Sequence, residues 1–140
     1  MTQSSPTTLD DMRLTTAAGL YGTRIVNRGG DTLGTVCEIL FDDRRARVAY
    51  VVTALGGFMG MGERLLAIPW QALSHDAKQH CMRLEMDRKT MLGAPTFHQE
   101  RWPHRASAAW HWQVHRYFDC TPYWEEPLAA PTELSPLGER

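Results

Sequence analysis

Two histidines four residues apart, His111 and His115, and three cysteines, Cys37, Cys81 and Cys120, are the side chains best suited to chemistry in this chain. On a helix the two imidazoles share a face, as pairs of metal ligands do. His104, seven residues before His111, falls close to that face. No carboxylate or cysteine stands at a completing position, so the pair reads as half-buried or surface imidazoles and no metal is expected. Cys81 follows His80 directly, but neighbours in a strand point to opposite faces and cannot serve as nucleophile and base. Cys37 lies among core-type residues, where a thiol behaves as a small apolar group. Of the acidic pairs Asp42-Asp43 and Glu125-Glu126, the first sits in a turn. Bonding to nearby backbone amides accounts for Asp42 there. No nucleophile, base and anion hole can be assembled, so neither an enzyme nor a cofactor is expected.

Charge sets further limits. The 140 residues carry a formal net charge of −1, which gives no global pull toward nucleic acid or anionic lipid. Arg44, Arg45 and Arg47, with Arg24 and Arg28 upstream, are diluted by Asp31, Asp42 and Asp43. A small barrel that binds nucleic acid interleaves aromatic and basic residues on one face. The strands here offer Tyr21, Phe41, Tyr50 and Trp70, several of which alternation turns inward. Nucleic acid is therefore not expected as a partner. No stretch approaches the roughly 20 apolar residues of a membrane span. The first residues lack the basic leader and apolar run of a secretory signal. An odd number of widely spaced cysteines fits reduced thiols, and the cytoplasm is the expected compartment.

The elements that hold these side chains are mainly strands. "LYGTRIVN" is closed by Gly29-Gly30, a pair suited to a tight hairpin. "TLGTVCEILF" reads as one strand, with Thr35, Cys37, Ile39 and Phe41 on one face. "VAYVVTAL" is apolar on both faces, as in a strand central to a covered sheet. "GGFMGMGE" links it to "RLLAIPW", where Pro69 marks a strand end or an edge and Trp70 opens a short turn or single-turn helix. The polar turn "SHDAKQH" leads to a fifth strand, "CMRLEM". Short strands with regular turn signals predict a small antiparallel β-barrel, mainly all-β in class. "DRKTMLGAP" is one helical turn stopped by Gly93 and Pro95. Beyond Pro103 the strand pattern ends. "HRASAAWHWQVHRYFD" reads as a helix with Trp110, Val114 and Tyr117 on one face. A Pro-rich extended end follows it.

The run "LYGTRIVNRGGDTLGTVCEILFDDRRARVAYVV", then "GGFMGMGERLLAIPWQAL" and "LGAPTF…RWP", resembles the PRC-barrel family. That family includes the cytoplasmic domain of the photosynthetic reaction-centre H subunit and the C-terminal domain of the ribosome maturation factor RimM. The resemblance runs from about Leu14 to Pro103, and the chain looks like a stand-alone bacterial member. It implies a highly curved β-barrel that serves docking or assembly rather than catalysis.

Three segments are expected: an N-terminal arm over 1–13, the barrel over 14–103 and an aromatic extension over 104–140. A barrel of fewer than roughly 70 residues is marginal alone. The extension and a second copy of the chain are the available supplements, so deletion after Pro103 should lower both melting temperature and assembly mass. Met and aromatic side chains favour interaction surfaces. The expected contact residues are accordingly Phe58, Met59, Met61, Trp70, Trp102, Trp110, Trp112 and Trp124. The expected partners are the chain itself and an unidentified protein. The alternatives are an RNA- or ribosome-associated factor and a ligand- or metal-responsive module using the tail histidines.

Overall fold

A strand with two apolar faces organises the molecule. In the computed structural model, which describes residues 13–55, 64–98, 100–103 and 106–125, Ala49 to Thr53 are all buried. The N-terminal arm, save Arg13, and the expected contacts Phe58, Met59 and Met61 lie outside the described residues.

Eight strands are described: β1 (Arg24–Val26), β2 (Thr32–Thr35), β3 (Glu38–Asp42), β4 (Arg47–Leu55), β5 (Arg64–Pro69), β6 (Leu73–Asp76), β7 (Cys81–Leu84) and β8 (Phe97–His98). They form two four-stranded sheets, ordered β2-β1-β7-β6 and β3-β4-β5-β8. Three short helices accompany them, α1 (Ala17–Leu20), α2 (Arg88–Leu92) and α3 (Ala108–Tyr117). The expected mainly-β architecture is what the chain forms. All pairings are antiparallel except β1 with β7, which run parallel.

The stretch read as one strand, "TLGTVCEILF", is two strands in different sheets. Val36 donates its N–H to Thr23 and accepts from Gly22, on the β1 side. The next N–H, from Cys37, goes to Val52 of β4 at 2.8 Å. The chain thus changes sheets across one peptide, and strict alternation fails there. Leu33, Val36 and Ile39 are buried, three residues apart, and Cys37 is exposed rather than in the core. Phe41 also departs from its expected face. A register shift between Leu40 and Phe41 bends the β3–β4 pair, and Phe41 is 61% exposed.

The second corner matches the sequence. Pro69 ends β5 and a 3-10 turn over Trp70–Ala72 leads into β6. Ser74 to Asp76, expected as part of a polar turn, instead form β6 with Leu73 and pair with β7. The following turn is closed by Asp76, whose carboxylate accepts from the Gln79 N–H and from Arg83 Nε, each at 3.0 Å. Buried Asn27 anchors the β1–β2 hairpin by accepting from the Asp31 N–H and donating to the Met86 carbonyl. Gly30, at φ +90°, supplies the left-handed position of that turn. Helix α2 begins at Asp87, whose side chain caps the Thr90 N–H, and ends at Gly93 as expected.

Between the sheets lies one core that includes Ile25, Leu33, Val51, Leu66, Ile68 and Met82. The C-terminal extension completes it with Val114, Phe118 and Tyr123. Among the described residues no helix is long and apolar enough to cross a membrane.

Candidate functional site

Ser107 accepts from the Trp110 N–H and so starts α3, fixing which residues of that helix face inward. Trp110, His111, Val114, His115 and Phe118 recur at intervals of three and four. That stripe faces the barrel, and α3 packs against β5. The sequence placed Trp110, Val114 and Tyr117 on one face but left both histidines out of it.

His111 and His115 do share a face, and each is tied to protein groups. Tyr50 of β4 lies 2.7 Å from His111 Nδ1 through its hydroxyl. His115 Nδ1 lies 2.9 Å from the His111 carbonyl. A carbonyl only accepts, so His115 carries its proton on Nδ1 and leaves Nε2 with a bare lone pair. His115 is fully buried and Nε2 has no hydrogen-bond partner among the described residues. The rings of Tyr50, Tyr123 and Trp124 surround it at centroid distances of 5.5, 5.8 and 4.8 Å. Burial lowers the pKa of both histidines. For His111 the neighbouring His115 adds to this and Asp42 opposes it. For His115 the bond to His111 opposes it. Among the described residues no group of three His, Cys, Asp or Glu could hold a metal ion.

Asp42 joins the barrel to the extension. Its carboxylate accepts from the Arg44 and Arg45 amides at 3.1 and 3.0 Å, the turn role expected of it. It also accepts from the Tyr123 hydroxyl at 2.6 Å and from the Arg45 guanidinium at 3.1 Å. Desolvation works against the carboxylate, but these bonds outweigh it and its pKa is lowered. Burial raises the phenol pKa values of Tyr50 and Tyr123, and both stay neutral. The Arg47 guanidinium stacks over the Tyr123 ring at 4.9 Å.

Two grooves flank the exposed ring of Phe41. One, of about 430 Å³, runs between the β3–β4 turn and the extension and is lined by Tyr50, His111, Trp112, Tyr123 and Trp124. The other, of about 490 Å³, is lined by Leu14, Leu20, Ile39, Val48 and Trp70. Phe41 borders both. The leucine at the rim of the second groove, Leu14, is 89% exposed.

The PRC-barrel domain model matches residues 14–88, more than half of the chain. The chain belongs to the PRC-barrel family. Among solved structures it is similar to RimM of Pseudomonas aeruginosa, described as a 16S ribosomal RNA processing protein. The identity is 22% and the TM-score 0.36, over 59% of this chain and 49% of that one. The chain thus spans about half the length of that protein. No curated protein matches it significantly.

On this PRC barrel the expected contact residues fall into three places. Trp70 lines the groove beside Leu14. Trp102 and Trp110 meet around Phe97, at 5.5 and 6.4 Å. Trp112 and Trp124 stack edge to face at 5.6 Å beside the other groove. Trp110 and Trp124 are half-buried within the chain, and Trp112 is 39% exposed. Sequence reasoning missed Phe41 as a surface residue. Its position in an alternating strand pointed inward, and the register shift is visible only once β3 and β4 are paired. The structure also weakens the argument against nucleic acid. Tyr21 and Phe41 are exposed rather than inward, and Phe41 stands next to the turn that carries Arg44 and Arg45.

Proposed function

We infer that this PRC barrel is a non-enzymatic docking module of the cytoplasm that associates with a second copy of itself. The barrel over 14–103 supplies most of the docking surface, and the 104–140 extension packs on the barrel and adds Trp112 to that surface. One observation carries the reading: a phenylalanine 61% exposed forms a ridge between two grooves, one walled largely by apolar side chains and the other mixing aromatic rings with the charges of Asp42, Asp43, Arg44 and Arg45. A surface holding both a knob and adjoining holes suits a two-fold contact, in which each copy offers the same patch. Trp70 and Trp112, one in each groove, are the aromatic anchors of that contact. Cys37, Cys81 and Cys120 form no disulfide, in keeping with a reducing compartment.

Light scattering on the whole chain tests this. The expected mass is twice the 15.9 kDa of one chain, and Phe41→Asp is expected to return it to one chain with an unchanged far-UV spectrum. A wild-type protein that stays a single chain at high concentration overturns self-association. The position of Phe41 beside Arg44 and Arg45 favours a second reading, RNA association. A salt-dependent mobility shift lost in Phe41→Asp would establish it instead.

A further inference from the structure

The two histidines of α3 are more deeply enclosed than the proposed docking surface requires. We propose that the seam between α3 and β4 is an acid-opened latch, in which protonation of His111 and His115 releases the C-terminal extension from the barrel. The proposal does not rest on self-association and holds whatever partner the Phe41 ridge takes.

The closed seam is built for neutral imidazoles. With Nδ1 of His115 committed to the His111 carbonyl, an added proton must go to Nε2, which is buried and has no hydrogen-bond partner among the described residues. A charged N–H left unpaired in a ring-lined site is strongly disfavoured. At His111 the Nδ1–Tyr50 bond of 2.7 Å ties the helix to β4, and burial of the ring disfavours its charged form. The two imidazoles are also neighbours on one helix face, and two positive charges there repel.

The groups that face the pair offer little relief. β4 contributes Tyr50 and the 3-10 turn Tyr123–Glu125 contributes Tyr123, both neutral phenols. β3 contributes Asp42, the one carboxylate felt by His111, which is already engaged by Tyr123 and Arg45. The β3–β4 turn and the start of β4 contribute Arg45 and Arg47, the first paired with Asp42 and the second stacked over the Tyr123 ring, and neither can accept a proton from an imidazolium. β5, which packs on α3, carries no titratable side chain from Leu65 to Pro69. Cys120, just past the helix, is a thiol raised by burial and by Asp119, and so remains neutral.

The sign follows from linkage. Both histidines sit below 6.5 in the closed form and return to that value once the extension is released. Above 6.5 neither form takes up protons and the latch keeps its full strength. As pH falls below 6.5 the open form binds protons that the closed form excludes. The opening constant then rises by up to about tenfold per pH unit for each histidine, until the closed-form values are reached.

Hydrogen exchange of the whole chain at pH 7.5, 6.5 and 5.5, corrected for intrinsic rates, tests the latch. The α3 amides are expected to gain in opening constant between pH 6.5 and 5.5, by up to about thirtyfold when both imidazoles stay neutral in the closed form. The β4 amides should keep their protection. His111→Gln, whose amide oxygen can still accept from Tyr50, should reduce the α3 slope. Combined with His115→Leu it should abolish it. If the double variant does not fold, the single variant and NMR titration of the wild-type imidazoles decide. The expected His111 and His115 midpoints are below 6.5, and midpoints at or above that value overturn the proposal. So does equal α3 protection at pH 5.5 and 7.5, or equal acid loss in β4 and α3, which is global unfolding.

Discussion

Gly34 and Thr53 show how one missing side chain sets the spacing between the two sheets. A Cβ at Gly34 would collide with Thr53 Oγ1, which is buried and without a hydrogen-bond partner. Gly34→Ala should therefore cost about 1–3 kcal/mol in urea unfolding, and most of that penalty should vanish in a Thr53→Ala background. Equal penalties in both backgrounds would place the strain elsewhere. Asp42 supports a second test. Tyr123→Phe removes a charge-assisted hydrogen bond across 81 residues of sequence and should cost about 1.5–3 kcal/mol at pH 7. Because Asp42 is held below its ordinary 3.8, the bond contributes fully above that pH. Its contribution is lost as pH falls through the lower folded value, so the mutant penalty should shrink there. Asp42 was legible in the sequence as a turn residue, since its amide partners lie two and three positions away. Its tyrosine partner was not, because nothing local links position 42 to position 123.

Among the elements, α3 has the clearest local specification and the least predictable environment. Ser107 caps it and Arg116 lies in its last turn, where positive charge suits the helix dipole. Ser107→Ala should cost about 1 kcal/mol and raise exchange of the first α3 amides, while β4 and β5 stay protected. A loss spread evenly over the molecule would instead show that helix and barrel unfold as one unit. β6 is the opposite case. Ser74 and His75 are exposed and Leu73 is only half-buried, so this edge strand lacks the apolar alternation by which strands are recognised. Its strand conformation comes from pairing with β7. The break between β2 and β3 was hidden for a related reason: Thr35, Val36 and Cys37 all suit a strand, and only the position of β4 diverts Cys37 to the second sheet.

For the molecule as a whole, the extension belongs to the core rather than to an accessory arm. Val114, Phe118 and Tyr123 are at most 7% exposed within the cluster that holds Ile25 and Val51. Burying side chains of this kind contributes roughly 1.5–3 kcal/mol each, against a net stability of about 5–15 kcal/mol. Truncation after Pro103 should therefore lower the melting temperature by more than about 10 °C while the barrel still folds. That exceeds the several degrees that size alone suggests, since a piece of the core is removed along with its cover. A truncated chain melting within a degree or two of the full one would mean that α3 contributes no net stability.

Periodicity, glycine turns and proline placement act over a few residues, and they were enough to indicate a small β-barrel and its central strand β4, while the order of short motifs carried the resemblance to the PRC-barrel family. The exposure of Phe41, the one-peptide change of sheet at Val36–Cys37, the Asp42–Tyr123 bond and the enclosure of His115 were settled only in three dimensions. Each depends on which distant surfaces meet, and the free energy of such a meeting is spread over groups that the local chain does not contain.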